Sequence, residues 1–324
     1  MHEPSKIRRM NWLVLQSLLP VVLLIATGVL SGRMGWLRQD AIKDLSNLVF
    51  MVFTPALLFR TMSQVRVEQL DFMPVAAYFV AALLLFGGIL LVKGFGRRSV
   101  VLALAGTFSN TVMIGIALIN LLFGAEGLVT LLTLVSVHAL VLLTSATLVL
   151  ELAVQRESAP QRASSAGGWS LVASGARAFR SSVLHPVPLP ILLGLAFAQT
   201  GLSIPSVIDR PLALLGQAFG PLALVLVGAS LAFTPAARHW RGALALAGVK
   251  NLLHPLLAWG LCRLFGVQGL TMTVMVAAAA LPIGANVFMF SQRYGVAQEL
   301  VTASVLASTA LAVLSLPGVL LLLG

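Results

Sequence analysis

Proline, glycine and asparagine fall close together in an apolar segment near the carboxyl end of the chain, at Pro282, Gly284 and Asn286. Proline lacks the backbone N–H that a helix needs and glycine adds conformational freedom, so a helix is expected to break there. Hydrocarbon offers no water to the freed backbone groups, so such a break must line a protein cavity. The broken helix ends direct partial charges into that cavity, where the amide of Asn286 can bind a small ligand. The segment therefore predicts noncovalent ligand binding inside a membrane protein.

A second polar interruption occupies the corresponding position in the first half of the chain, around Asn110. An isolated asparagine usually satisfies a neighbouring backbone group or joins two helices. The paired positions of Asn110 and Asn286 in two interrupted segments favour ligand binding instead. The predicted substrate-binding residues are Ser109, Asn110, Thr111, Gly115, Pro282, Ile283, Gly284 and Asn286.

Three ionisable residues inside apolar segments are candidates for ion coupling or for attraction of an anion. Lys250 and His254 lie one turn apart on one face of a predicted helix, and His138 lies among leucine and valine residues. Histidine changes charge near neutral pH, so either histidine is able to carry a proton. The structural alternatives are a lysine that extends to the membrane interface and histidines that are packed and satisfied.

The composition is that of a membrane protein. Hydrophobic residues make up 59% of the 324 residues, charged residues make up 10%, and the mean hydropathy is +0.99. The basic residues lie between apolar segments, where they set orientation, so we expect no nucleic-acid partner despite the net charge of +11. The carboxylates all fall in loops or at segment ends. A cavity with positive helix ends and no negative charge suits an anion, and organic carboxylates are the natural candidates.

Motifs of enzymes are lacking in the sequence. It holds no H-E-x-x-H zinc motif, no G-x-S-x-G nucleophile motif and no lysine-containing phosphate-binding loop. We expect a protein that is not an enzyme and that needs neither a metal ion nor a cofactor.

The apolar pattern predicts an all-α polytopic membrane protein with ten transmembrane helices. The chain divides into a first repeat of five helices at 12–150, a cytoplasmic linker at 151–185, and a second repeat at 186–324. Because each half holds an odd number of helices, the second repeat is expected to be inverted, with interrupted helices 4 and 9 as counterparts. At about 20 apolar residues each, the helices are predicted at 12–32, 43–63, 72–94, 99–123, 127–150, 186–202, 208–232, 242–265, 271–293 and 299–323.

Lysine and arginine are unevenly distributed between the two sides of the predicted membrane protein. The side that contains Arg33, Lys93 and Arg156 carries more of them and is therefore assigned to the cytoplasm, which leaves both termini outside. The three basic residues Lys6, Arg8 and Arg9 before the first helix favour the opposite orientation.

In its short motifs and their order, the chain resembles the auxin efflux carrier family, which includes bacterial malonate or malate permeases. The resemblance runs almost from end to end. Its segments are Gly28 to Gly35, Thr54 to Phe59, Asn110 to Gly115, Phe123-Gly124, Pro221 to Leu224, Lys250 to Pro255, Leu281 to Asn286, Arg293 to Gly295 and Ser308-Thr309.

The resemblance implies a fold similar to bile-acid and sodium/proton transporters, with crossed, broken helices 4 and 9. Helices 1, 2, 6 and 7 would form a scaffold that also mediates a homodimer, and helices 3–5 and 8–10 a transport domain. Asn110, Pro282 and Asn286 would approach the substrate carboxylate. One position departs from the family pattern, because Ala117 stands where the family usually has a proline.

The expected function is that of a secondary transporter of the bacterial inner membrane, which moves a small organic anion, such as a dicarboxylate or an auxin-like acid, by alternating access. Two alternatives stay open from the sequence. A sodium-coupled symporter of the bile-acid type has the same architecture but needs acidic and polar sodium ligands, and a nontransporting membrane sensor needs an output domain.

Overall fold

A computed structural model describes residues 4–64, 72–162, 186–233 and 236–323, and within these ranges the chain is helical with no strand. The predicted all-α class is therefore confirmed. In chain order the helices are α1 Pro4–Arg33, α2 Gln39–Met62, α3 Phe72–Lys93, α4 Arg97–Thr107, α5 Ile116–Arg162, α6 Pro188–Ala198, α7 Ser206–Phe233, α8 at residues 236–264, α9 Gly269–Ala280, α10 Ala285–Tyr294 and α11 Gln298–Leu323.

Six helical stretches among the described residues are long and apolar enough to cross a membrane: α2, α3, Glu126–Val154 of α5, α7, His239–Leu264 of α8, and α11. Leu18–Arg33, Pro188–Ala198 and Gly269–Ala280 are shorter apolar helices. Large apolar side chains also face outward, including Leu91, which is 87% exposed, and Leu322, which is 88% exposed. Such a surface fits lipid better than water. The protein is thus a multi-pass membrane protein, and the count of ten crossings stays a prediction.

Two of the predicted spans are each divided by a nonhelical segment. The span at 99–123 consists of α4, the nonhelical residues 108–110, a π turn at Thr111–Gly115 and the first turns of α5. The span at 271–293 consists of α9, residues 281–284 and α10. Gly124 separates the fourth predicted span from the fifth, with φ 60° and ψ −151° inside α5. Only glycine adopts that conformation readily, so the boundary depends on this residue.

α2 and α8 each contain a single widened π turn directly before a proline. The turn Val49–Phe53 precedes Thr54-Pro55, and the turn Val249–Leu253 precedes His254-Pro255. A proline ring collides with the carbonyl four residues back, and a π turn, which bonds across five residues, accommodates this. In α8 the widened turn carries Lys250 and Asn251, both fully buried.

The helices pack as two groups. α1 lies along α7, and α2 packs against α6 and α7. In the other group, α3 packs against α4 and α8, and α8 in turn contacts α9 and α11. α5 lies against α4 and α9, and α10 against α11. Contacts between the groups involve mainly α10 and α11 with α1, α2 and α7.

Glycines allow α1 and α7 to approach closely. A Cβ atom on Gly28 would overlap the carbonyl oxygen of Val225, and a Cβ atom on Gly228 would overlap that of Ile25. Because lipid tails are as apolar as leucine, helices in a membrane associate through such close packing of small residues. This reciprocal contact joins the two longest helices of the first group.

α5 continues to Arg162, beyond the predicted start of the linker at residue 151, and residues 163–185 lie outside the described residues. Glu157 fastens this extension to α4, because it accepts hydrogen bonds from the backbone N–H of Arg97 and from its guanidinium at 3.1 and 2.6 Å. The backbone bond and the guanidinium hold the pKa of Glu157 below its usual value.

We predict that Gly28→Ala lowers the thermal unfolding temperature in detergent, because the added methyl group meets backbone that cannot move aside. Overpacking of this kind costs about 1–3 kcal/mol. Gly87→Ala is the control, since a Cβ atom at Gly87 in α3 meets open space. Alanine favours helix over glycine, so equal or higher unfolding temperatures for both variants would contradict the close contact.

Candidate functional site

The two nonhelical segments at 108–110 and 281–284 meet and pair with each other. The N–H of Asn110 donates to the carbonyl of Pro282 at 2.9 Å, and the N–H of Gly284 donates to the carbonyl of Phe108 at 3.0 Å. Ser109 and Ile283 face each other as an isolated antiparallel bridge. Each segment thus supplies backbone partners that the other lost when its helix ended. We call this pairing the crossing.

The carbonyl groups at the end of α9 are bonded by side chains from α8. The ammonium of Lys250 donates to the carbonyls of Ala279 and Leu281 at 2.5 and 2.7 Å. Asn251 donates to the carbonyl of Ala280 at 3.2 Å. A cation at the negative end of a helix is favourable, and here it also satisfies buried carbonyls. The two adjacent residues of the α8 π turn therefore terminate α9.

Ser308 of α11 also accepts hydrogen bonds on this side of the crossing. Its hydroxyl accepts the N–H of Ile283 at 3.1 Å, and its carbonyl accepts a bond from Asn251 at 3.2 Å. Thr309, by contrast, only bonds back to the carbonyl of Val305 within its own helix.

The first interruption forms without a proline. α4 ends at Thr107, and a π turn from Thr111 to Gly115 follows, with the carbonyl of Asn110 accepting bonds from the N–H groups of Ile114 and Gly115. A Cβ atom on Gly115 would lie 2.9 Å from a methyl carbon of Leu281, so glycine lets the two segments approach. Ala117 lies inside α5, beyond the break. Helix 4 is therefore interrupted despite the missing proline, because pairing with the second segment holds the break.

A cavity of about 360 Å³ adjoins the crossing on the side that faces α2 and α7. It lies between the two helix groups. Its lining consists of Leu57, Leu58, Arg60, Thr61, Phe108, Ser109, Asn110, Thr111, Val112, Val135, His138, Ala139, Ala213, Gly216, Gln217, Phe219, Gly220, Pro221, Gly284, Ala285 and Asn286.

The polar groups of this cavity favour negative charge. Its lining includes no acidic side chain. Within the described residues, the side-chain amides of Asn110 and Asn286 have no hydrogen-bond partner, although Asn110 is only 7% exposed. Asn286 is partly exposed, and both amides border the cavity, so they are free to donate hydrogen bonds to a ligand or to water there. Thr111 at the start of the π turn and Ala285 at the start of α10 also border the cavity. The N–H of Thr111 donates to the carbonyl of Ser109 at 2.9 Å, whereas Ala285 is the first residue of a helix, where the N–H groups lack acceptors within the helix.

Arg60 brings a formal positive charge to the same cavity. Its guanidinium donates two hydrogen bonds to the carboxylate of Asp209, at 2.7 and 3.2 Å, and both side chains are 31% exposed. The pair joins the end of α2 to the start of α7, which defines the Arg60 end of the cavity. Because the pair is bidentate, an incoming anion would have to compete with Asp209 for the guanidinium of Arg60.

The predicted site residues separate into a lining set and a supporting set. Ser109, Asn110, Thr111, Gly284, Asn286 and His138 line the cavity. Gly115, Pro282 and Ile283 lie behind them in the crossing, and Lys250 and His254 are buried outside the lining. Lys250 therefore holds the crossing from behind instead of facing a ligand in the cavity.

A buried tyrosine connects the crossing to a histidine. The hydroxyl of Tyr78 lies 3.1 Å from Oγ of Ser109 and 3.1 Å from Nε2 of His138. His254 packs its ring against the edge of Tyr78 with centroids 5.3 Å apart, and neither of its ring nitrogens has a partner among the described residues.

Neither Arg60 nor Tyr78 was singled out from the sequence. Gln217 of α7 also lines the cavity, whereas Asn47 of α2 accepts a hydrogen bond from Arg293 away from it. From the sequence alone, Arg60 is interpreted as a charge at the membrane interface at the end of a span. Its partner Asp209 lies 149 residues away in the sequence. The sequence carries no local signal for this role, because the family resemblance assigns helix 2, which carries Arg60, to the scaffold.

We predict that Lys250→Met lowers the unfolding temperature, because it leaves the carbonyls of Ala279 and Leu281 without a donor. Each unsatisfied buried group costs about 1–3 kcal/mol. Lys93→Met, at an exposed lysine, is the control and should unfold like the wild type. Unchanged stability with weakened anion affinity would instead support direct attraction of an anion by Lys250.

Comparison with known proteins finds similarity to membrane transporters. A profile of the family described as "Membrane transport protein" matches residues 13–320. A protein of Rhizobium meliloti named "Putative malonate transporter" is 29% identical over 316 residues, covering 94% of both chains. An "Uncharacterized transporter" of Methanothermobacter thermautotrophicus is 24% identical over 314 residues, which cover 93% of this chain and 96% of its own.

These names describe transporters and not enzymes, and they confirm the resemblance to auxin efflux carriers that the sequence motifs indicate. With a family match over nearly its whole length, this chain belongs to the membrane transport protein family.

Proposed function

We propose that this protein is a secondary transporter that moves a small organic anion across the membrane by alternating access. The observation that carries the proposal is the cavity at the crossing, where two unpartnered asparagine amides, two helix amino termini and Arg60 converge. The cavity lining itself contains no acidic side chain, and Asp209 pairs with Arg60 from outside that lining. Amide donors and helix amino termini bind carboxylates through hydrogen bonds and a favourable dipole.

A bound carboxylate would accept hydrogen bonds from the side-chain amides of Asn110 and Asn286. Asn110 ends one segment of the crossing, Asn286 lies in the first turn of α10 directly after the other, and both line the cavity, so one carboxylate with two oxygens is able to engage both. Apolar side chains of the cavity, among them Leu57, Val135 and Phe219, would contact the carbon skeleton. The combination favours a carboxylate on a short carbon chain over an inorganic anion.

Malonate or a related dicarboxylate is the first candidate substrate. The relative from Rhizobium meliloti carries malonate in its name, and the cavity of about 360 Å³ is ample for a small dicarboxylate. Arg60 would give a second carboxylate a cationic partner at the outer part of the cavity. An auxin-like monocarboxylate would use the same amides and place its ring against the apolar lining.

The moving parts follow from the packing of the helices. We infer that α1, α2, α6 and α7 form a scaffold and that the remaining helices form a transport domain, as expected from ten helices in two inverted repeats. The cavity lies between these groups, as a site that is alternately exposed must. A homodimer through scaffold helices, insertion in the bacterial inner membrane and termini on the periplasmic side complete the proposal.

The membrane potential is a sufficient driving force for such a carrier. One charge that crosses the full potential gains or loses about 2.3 kcal/mol per 100 mV. The cavity lining offers no carboxylate for sodium, which makes a sodium-coupled mechanism of the bile-acid type the weaker candidate.

We predict that Asn110→Ala and Asn286→Ala each abolish uptake of the transported anion into proteoliposomes, with expression and unfolding temperature retained. Each change removes a donor that only the ligand uses. Asn120→Ala is the matched control, because Asn120 is exposed and lies outside the cavity. Uptake at the wild-type rate in both cavity variants would refute this site.

We predict that Arg60→Gln raises the KM for the anion about tenfold, equivalent to ~1.4 kcal/mol, whereas Asp209→Asn leaves KM unchanged or lowers it by freeing Arg60. Arg210→Gln is the control, since Arg210 is exposed and not part of the cavity lining. Uptake kinetics in proteoliposomes measure all three variants. Equal KM values for Arg60→Gln and the wild type would show that Arg60 only pairs α2 with α7 and does not contact the anion.

A further inference from the structure

A second cavity, of about 250 Å³, lies at the opposite end of the interface between the two helix groups. It is formed by the first turn of α2, the last turn of α7, the end of α10 and the start of α11. Polar residues dominate its lining, among them Gln39, Lys43, Ser230, Gln292, Gln298 and Glu299. We call this side the Lys43 end.

Three elements, α2, α7 and the segment through α10, each line both cavities at positions separated along their length. α2 lines the second cavity up to Lys43 and the first cavity from Leu57, which is about 21 Å further along at 1.5 Å per residue. α7 lines the first cavity at 213–221 and the second at Ser230 and Phe233. The segment through α10 does so at 284–286 and at Gln292. The cavities therefore lie end to end along one interface.

Side chains of α2 and α10 meet at positions between the two cavities along these helices, with Phe50 and Phe290 buried and Asn47 and Arg293 exposed. The rings of Phe50 and Phe290 meet edge to face with centroids 5.5 Å apart, and both residues are 1% exposed. The guanidinium of Arg293 lies 5.9 Å from the centroid of the Phe50 ring and donates to Oδ1 of Asn47 at 3.2 Å. We call these four residues the barrier.

Each barrier contact joins one helix group to the other, because Asn47 and Phe50 belong to α2 and Phe290 and Arg293 to α10. The next residue, Tyr294, instead fastens α10 to its own group, since its hydroxyl donates to Glu151 of α5 at 3.1 Å. Separation of the groups would break the barrier contacts and leave the Tyr294 contact intact. The barrier therefore has the connectivity of a gate.

We propose that the second cavity is the opposite mouth of the pathway of the same organic anion, and that Asn47, Phe50, Phe290 and Arg293 close this mouth in the present conformation. The inference rests on the proposed transport function. Asp40, Lys43 and Glu299 give the second cavity charges of both signs. Such a lining holds an anion less firmly than the first cavity, as a mouth for release requires.

The test uses site-directed thiol labelling, because Cys262 is the one cysteine in the sequence and is buried. In a Cys262→Ala background, Gln217→Cys reports on the first cavity and Gln292→Cys on the second. A membrane-impermeant charged maleimide is applied to vesicles of each orientation. We expect Gln217→Cys to react only from the Arg60 end and Gln292→Cys only from the Lys43 end.

Removal of barrier contacts should open the path to the first cavity from the Lys43 end. With Asn47→Ala and Phe290→Ala added, the rate of labelling of Gln217→Cys from that end should rise at least about tenfold, because the closed conformation becomes less stable relative to the open one. Phe288→Ala is the matched control, because Phe288 is equally buried in α10 but lies on another face. Asn47→Ala alone should give a smaller rise in labelling. This single variant provides the test if the double variant does not fold.

Covalent closure provides the complementary measurement. A Phe50→Cys and Phe290→Cys pair in the Cys262→Ala background, bridged by a short bifunctional thiol reagent, should stop anion uptake, whereas the same reagent on either single cysteine variant should leave uptake unchanged. Equal labelling of Gln217→Cys from both ends with an intact barrier, or undiminished uptake after bridging, would overturn the inference. The expected labelling pattern without uptake of any anion would refute the transport function and leave the barrier standing.

Discussion

Backbone groups at residues 108–110 and 281–284 lie in a part of the protein where a bilayer supplies no water, and each group left unpaired would cost several kcal/mol. The structure meets this constraint in three ways. The two segments bond each other, Lys250 and Asn251 bond the carbonyls that end α9, and Ser308 bonds the N–H of Ile283. Helices α4, α8, α9 and α11 must therefore stay in register with one another. The cavity exists because this rigid group keeps two helix amino termini side by side.

The sequence indicated the second interruption well, because Pro282 and Gly284 act locally and their effect does not depend on distant partners. Asn110 and Asn286 were found for a related reason, since amides deep in apolar segments are conspicuous. The first interruption was harder, because Ala117 removes the local signal and the break relies on bonds to residues more than 170 positions away. Only the pairing of Asn110 with Pro282 explains it.

Residues whose roles depend on three-dimensional neighbours could not be assigned from the sequence. Arg60 looked like a charge that sets orientation, and the cavity role of its side chain follows only from the approach of α2 to α7. Lys250 was correctly noted as unusual, but whether it faced a ligand or a helix end depended on the π turn of α8. Tyr78 attracted no attention, because a single tyrosine in an apolar helix is common at membrane interfaces.

The π turn of α2 has a consequence for how one helix serves two tasks. An α-helix turns 100° per residue, so a single inserted residue rotates everything after it by that angle relative to an uninterrupted helix. In α2 the turn at Val49–Phe53 lies between Asn47, which bonds Arg293 of α10, and the cavity residues Arg60 and Thr61, and Phe50 within the turn contacts Phe290 of α10. Because of this one extra residue, the side chains after the turn in α2 point in directions that differ from those in a regular helix of the same length. The two halves of α2 can therefore face different partners.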